Sequence, residues 1–142
     1  MKKVKAEKKK LIVTPLKKAL QQLEFSFSLC EKSSKNNKQD LFIVYRAATI
    51  QCFEYSYSLS VALIKRKLEN YEHNENIDLL SFNNMMRVAA EKGIVSSPKD
   101  WFKYREKRNL TSHTYDEKRA KEVYKIIPEF IESVKNLLEN IK

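Results

Sequence analysis

One glycine and three prolines in 142 residues constrain this chain more than any motif it carries. Tight β-hairpins draw on glycine for their positive backbone angles, and a sheet of short strands needs several such turns. With Gly93 as the sole glycine, a meander, sandwich or barrel has little to turn on. Apolar residues instead return at three- and four-residue steps over long stretches, the period of a helix with one buried side. The expected class is all-α, and the length suits one domain with a real core.

Taken in order, Thr14-Pro15 opens a first helix, with Thr14 as N-cap and Pro15 in the first turn. Its apolar face is Leu16, Leu20, Leu23, Phe27 and Cys30, and Ser33–Asn37 ends it as a polar connection. A long helix then runs from about Gln39 to Tyr71. Leu41, Tyr45, Ala48, Cys52, Tyr55, Leu59, Ala62 and Leu63 trace one stripe, and Ile43, Ile50, Phe53, Tyr57 and Ile64 widen it beyond a surface helix's need. Such a helix has two sets of neighbours: it is either the centre of a bundle or in contact with a second subunit.

His73 falls in a polar loop and is expected to be merely exposed. Ser81 caps a short helix whose Met85 and Met86 fill the core, and Gly93 stops it, followed by Ile94. Ser97-Pro98 starts another helix, in which Trp101 is a core or interface anchor, ending near Asn109–Ser112. Asp116 caps a last helix that Pro128 should bend. Five segments result, four long enough for an up-and-down four-helix bundle and one a short crosspiece.

Net charge is +10, about half of it from six lysines and one glutamate in Met1–Lys10. That leader reads as a disordered basic tail over residues 1–13, ahead of a single domain over 14–142. No apolar segment follows it as in a secretory signal, and no run approaches the roughly 18 apolar residues of a membrane span. A cytoplasmic protein with a polyanionic partner is expected, and Cys30 and Cys52 read as buried thiols of a reducing compartment.

Chemistry concentrates between Trp101 and Tyr115, where Arg108, His113 and Tyr115 are spaced Arg-x4-His-x-Tyr. Arginine clamps phosphate with a rigid fork of donors, and imidazole exchanges a proton near neutral pH. Metal-free RNA cleavage needs a base for the 2′-hydroxyl, an acid for the leaving oxygen and a cation for the transition state. His113 could be either of the first two and Arg108 the third. A second histidine would have to come from a second copy across a twofold axis. Asn109 would orient the histidine or bind phosphate, and Thr111 and Ser112 could donate to a phosphate oxygen. The same residue types at a helix junction also cap backbone carbonyls, and that account stays open here.

Arg108-Asn109 and Ser112-His113-Thr114-Tyr115-Asp116, after a tryptophan-containing turn, resemble the signature of HEPN-domain proteins, in particular the HepT-like group of nucleotidyltransferase substrate-binding proteins. A second matching segment is Ile50–Ser60, and the resemblance runs from about Leu16 to the C-terminal helix. It implies a homodimer formed through long helices, with a shared cleft. The partner it implies is a separately encoded minimal nucleotidyltransferase, in a toxin–antitoxin pair whose toxin is a metal-independent RNase. It also implies that Tyr115 receives adenylyl groups; otherwise its ring merely packs at the helix start. The alternative function is a non-catalytic substrate-binding subunit holding a nucleotide or other phosphate ligand in the same cleft; RNA, tRNA or a nucleotide is the further partner expected. The chain is not itself expected to transfer nucleotides: it has one glycine and no Asp-x-Asp for magnesium. No cofactor or metal is expected.

Overall fold

The computed structural model describes residues 10–71 and 77–142. Its helices are α1 (Thr14–Lys35), α2 (Gln39–Glu69), α3 (Phe82–Glu91), α4 (Pro98–Leu110), α5 (Glu117–Lys125) and α6 (Ile127–Asn140), with 3-10 turns at Ile77–Leu79 and Thr111–His113. α5 and α6 are one rod broken at Ile126, because Pro128 cannot donate to the carbonyl of Tyr124. Counting that rod once, α1, α2, α4 and α5–α6 form an up-and-down four-helix bundle, with α3 as the short extra helix. α1 and α2 make the most extensive pairing, and α3 packs on α4 and α2.

Two left-handed closures set the turns. Asn37 (φ 57°) lets the Lys38 N–H reach the Ser33 carbonyl at 2.9 Å, and Gly93 (φ 75°) lets the Ile94 N–H reach that of Ala89 at 2.9 Å. At helix starts, the Ser81 hydroxyl accepts from the Asn84 N–H (3.2 Å) and the Asp116 carboxylate from the Lys118 N–H (2.9 Å). Thr14 is not the cap of α1. It lies inside the first turn, and the cap position belongs to Val13, which carries no acceptor and packs against the core instead. Ser97 is extended at the start of α4, but its side chain makes no cap bond.

The core centres on four rings. Phe130 of α6 meets Phe53 at 4.8 Å and Tyr104 at 5.1 Å, and Trp101 meets Tyr104 at 5.3 Å, all edge to face. Tyr104 is fully buried, and its hydroxyl is satisfied by Ser133 (2.6 Å) and the Glu129 carbonyl (3.1 Å). Met85, Met86, Cys30 and Cys52 are buried and both thiols are free, as expected.

α2 departs from the expected stripe. Its buried side is Arg46, Thr49, Phe53, Tyr57, Ser60, Ile64 and Leu68. The stripe drawn through Leu41, Ala48, Tyr55 and Ala62 is instead exposed or half-exposed, although its Cys52 and Leu63 are buried, and of the residues expected to widen it Ile50, Phe53, Tyr57 and Ile64 are buried while Ile43 is exposed. Small hydroxyl side chains misled the periodicity: Thr49, Ser56 and Ser60 are buried where α2 lies close to its neighbours.

Residues 1–9 and His73 lie outside the described residues; of the leader, Leu11 and Val13 are partly buried against the core. Among the described residues, no helix is long and apolar enough to cross a membrane.

Candidate functional site

α4 carries Trp101 and Tyr104 inward, so Arg108, one turn beyond Tyr104, emerges at its C-terminal end facing α2. The chain tightens there into the 3-10 turn Thr111–His113 and resumes as α5 at Glu117. Thr111 fixes the bend: its buried hydroxyl donates to the Arg108 carbonyl (2.7 Å) and accepts from Arg108 Nη1 (2.8 Å). The hydroxyl proton is thereby committed inward, which makes Thr111 a buttress of the guanidinium. Thr114 donates to the Thr111 carbonyl at 3.2 Å and closes the next step.

The outer residues of the bend are open. Asn109, Ser112, His113 and Tyr115 are exposed, Tyr115 at 85 %. The His113 and Tyr115 rings stand 6.2 Å apart, edge to face. The structure therefore gathers Arg108, His113 and Tyr115 on one bend, with Asn109 and Ser112 beside them and Thr111 behind.

Two residues on α2 complete this picture. Glu54 Oε2 is 3.7 Å from Arg108 Nη2, with each side chain about one third exposed (35 % and 34 %). Tyr57, one turn further, is buried; burial pushes its phenol up to about 12 against the opposing pull of Arg105 and Arg108. A third contact pins the far side of the bend. Arg46, only 7 % exposed at the side chain, forks onto Glu117 at the start of α5 with bonds of 2.9 and 2.5 Å.

Sequence reasoning singled out neither Glu54 nor Arg46 for the site. The available signal was a charge set within a long apolar helix: Glu54 between Phe53 and Tyr55, Arg46 between Tyr45 and Ala47. Among the described residues, no group of three or more histidines, cysteines and carboxylates could hold a metal ion. A hollow of about 360 Å³ between the start of α4 and α6, lined by Asp100, Trp101, Tyr104 and Ser133 among others, does not include the motif.

Residues 12–142 match the model of a family described as nucleotidyltransferase substrate binding protein like. The chain belongs to this family. The match takes in Arg108, His113 and Tyr115, so the motif is part of the family domain and not an appended segment. One family relative, named "Probable ribonuclease HepT", from Haemophilus influenzae, is 37 % identical over 97 residues, covering 68 % of this chain and 66 % of its own. A solved structure from the same organism, reported to reveal the fold of a substrate binding domain of a nucleotidyltransferase, superposes with a TM-score of 0.81. It is 32 % identical and the match covers 92 % of this chain and 98 % of that one. The family domain thus extends over nearly the whole bundle.

Proposed function

We propose that this HepT-like protein is the toxin of a toxin–antitoxin pair, a metal-independent endoribonuclease whose working form is a twofold dimer and whose partner is a separately encoded minimal nucleotidyltransferase. The observation that carries the reading is the bend itself: a guanidinium held from behind by Thr111, beside an imidazole with no side-chain hydrogen bond among the described residues. In the reaction, a base removes the 2′-hydroxyl proton and the 2′-oxygen attacks the adjacent phosphorus. The 5′-oxygen leaves with a proton from an acid, giving a 2′,3′-cyclic phosphate and a 5′-hydroxyl. His113 of one protomer is the base, His113 of its partner is the acid, and Arg108 neutralises the charge growing on the phosphate.

Support for the dimer comes from α2. Leu41, Ile43 and Val44 are 41, 47 and 62 % exposed, and Phe25 of α1 is 67 % exposed. Ala48, Gln51, Tyr55 and Ala62 continue this face along α2. Glu54, which contacts Arg108, lies at its border, so a partner docked here would set two bends beside one another.

Silencing would use Tyr115. Its exposed hydroxyl attacks the α-phosphorus of a nucleoside triphosphate held by the partner, pyrophosphate leaves, and the adduct places a phosphate against Arg108 and His113. The family's description favours a second reading, a non-catalytic subunit that binds nucleotide or phosphate in the same cleft.

Purified wild type and His113→Ala, incubated with tRNA and mixed cellular RNA in chelator, separate the two. Cleavage by wild type alone, leaving cyclic phosphate ends, is expected, with a loss of about 10²–10⁴-fold in the variant. RNA left intact by a folded wild-type dimer ends the ribonuclease reading. Phosphate binding that persists in that protein establishes the second.

A further inference from the structure

α5 separates its charges by sign. At 100° per residue, Lys118, Lys121 and Lys125 fall within about 60° of one another, on the side opposite the buried Ala120 and Val123. All three are exposed, and none closes an ion pair within 4 Å among the described residues. The acidic residues of this helix flank the stripe and are each turned to another helix. Glu117 is bound by Arg46 of α2, and Glu122 lies 3.9 Å from Lys107 of α4. At the N-terminus Asp116 takes the Lys118 N–H and the Arg119 guanidinium, which removes Arg119 from the free set. Three exposed cations without a close ion pair therefore begin directly after the bend that holds Arg108, His113 and Tyr115, and of these Lys121 is also felt by the Glu117 carboxylate, one turn back.

We infer that this α5 stripe is the tract along which the single-stranded RNA backbone runs as it leaves the cleavage site. This rests on the ribonuclease reading and adds where the rest of the substrate binds. Lysines at steps of three and four residues rise about 4.5 and 6 Å along the axis, close to the pitch of successive phosphates on an extended strand. The stripe offers no ring for bases to stack on. Tyr124, the one aromatic of α5, faces Phe27 and Phe42 and donates its hydroxyl to Glu31. Recognition is therefore of phosphates: it is indifferent to sequence and sensitive to salt.

The test uses full-length protein and a labelled single-stranded 2′-O-methyl RNA, which cannot be cut, titrated by fluorescence anisotropy across a range of salt. K118A/K121A/K125A is expected to bind about tenfold or more weakly at low salt, with the slope of log K against log salt smaller by about 2. K17A/K18A/K99A removes the same charge from exposed positions on α1 and α4 and should leave that slope near the wild-type value. On cleavable RNA, the α5 variant should raise KM much more than it lowers kcat. Equal losses in the two triple variants would reduce the effect to net charge and overturn the inference. So would unchanged RNA binding with lost assembly onto the nucleotidyltransferase, which would make the stripe a protein-docking face. If wild type cuts RNA and the α5 variant matches it in KM, the tract is wrong and the ribonuclease reading stands. If wild type neither cuts nor binds RNA, that reading falls first and the tract falls with it.

Discussion

Two arginines join the bend to α2, and they are held in opposite ways. Arg46 is buried and forked, both of its terminal nitrogens bonded to Glu117 at 2.9 and 2.5 Å, with its guanidinium carbon 5.5 Å from the Phe42 ring centroid. Arg108 is one third exposed, with one bond to Thr111 at 2.8 Å and a long contact to Glu54 at 3.7 Å. A guanidinium has five N–H donors. Arg46 has committed its fork to one carboxylate and serves as a bolt between helices. Arg108 is oriented by Thr111 but keeps donors for an anion. On the proposed function, the difference separates a stabilising pair from a binding group, even though each pairs an arginine with a glutamate.

The largest expected effect breaks that symmetry outright. Arg108→Ala should lower kcat for RNA cleavage by about 10²–10³-fold, with a melting temperature close to wild type. Arg46→Ala should do the reverse, costing about 1–3 kcal/mol of stability, because it strips a bonded charge from a 5 % exposed site, while the folded fraction still cuts. Parallel melts and single-turnover assays read both. A shared phenotype, with stability lost in both and activity in neither, would make Arg108 a second bolt.

Next in size is the effect of separating the two protomers of the proposed dimer. Val44→Asp places a carboxylate in the apolar face of α2 and should weaken dimerisation at least about tenfold in sedimentation, with cleavage falling in step. A monomeric variant with full activity would remove the need for a shared cleft, and with it the reason for an open Arg108.

The sequence made one arginine legible and hid the other. Arg108 could be found because its partners are local: Thr111 is three residues on, and the helix break is marked by Asn109, Thr111 and Ser112. Arg46 could not, since Glu117 lies 71 positions away and no local pattern couples them. The bundle followed from glycine scarcity and apolar period; Ser81, Gly93 and Asp116 marked the ends they were expected to mark, and Pro128, expected to bend the last helix, breaks it at Ile126. The rotation of α2 did not. Periodicity counts apolar side chains, whereas the packed side of this helix includes Thr49, Ser56 and Ser60, all fully buried.

Glu54 sharpens the comparison from the other side. Its carboxylate competes with any phosphate for Arg108, so Glu54→Gln should tighten binding of inorganic phosphate by about three- to tenfold, as a partly screened ion pair allows. Titration followed by NMR of the Arg108 and His113 side chains would read it. Weaker phosphate binding in the variant would mean that Glu54 positions the guanidinium, and that the looser pair is also structural.

The smallest effect lies in the pH dependence of the bolt. The hydrogen bonds from Arg46 hold the Glu117 carboxyl below its usual 4.5, against some desolvation and with help from the charges of Arg46 and Lys121. A depressed carboxyl favours folding while it is ionised. Its contribution is therefore complete above about pH 4.5 and drains away as pH falls through the lowered value. Glu117 is 57 % exposed, so solvent screens much of the interaction and the shift in melting temperature should be modest. Glu117→Gln keeps the shape and loses the charge. Its melting temperature should lie below wild type at neutral pH, and the two curves should converge on acidification below 4.5. Convergence would mean that Arg46 is held by ionic bonding, in contrast to the partly vacant Arg108. A gap of constant width across that range would mean that Glu117 acts through packing alone, and the two arginines would then differ in burial and not in how fully their charge is used.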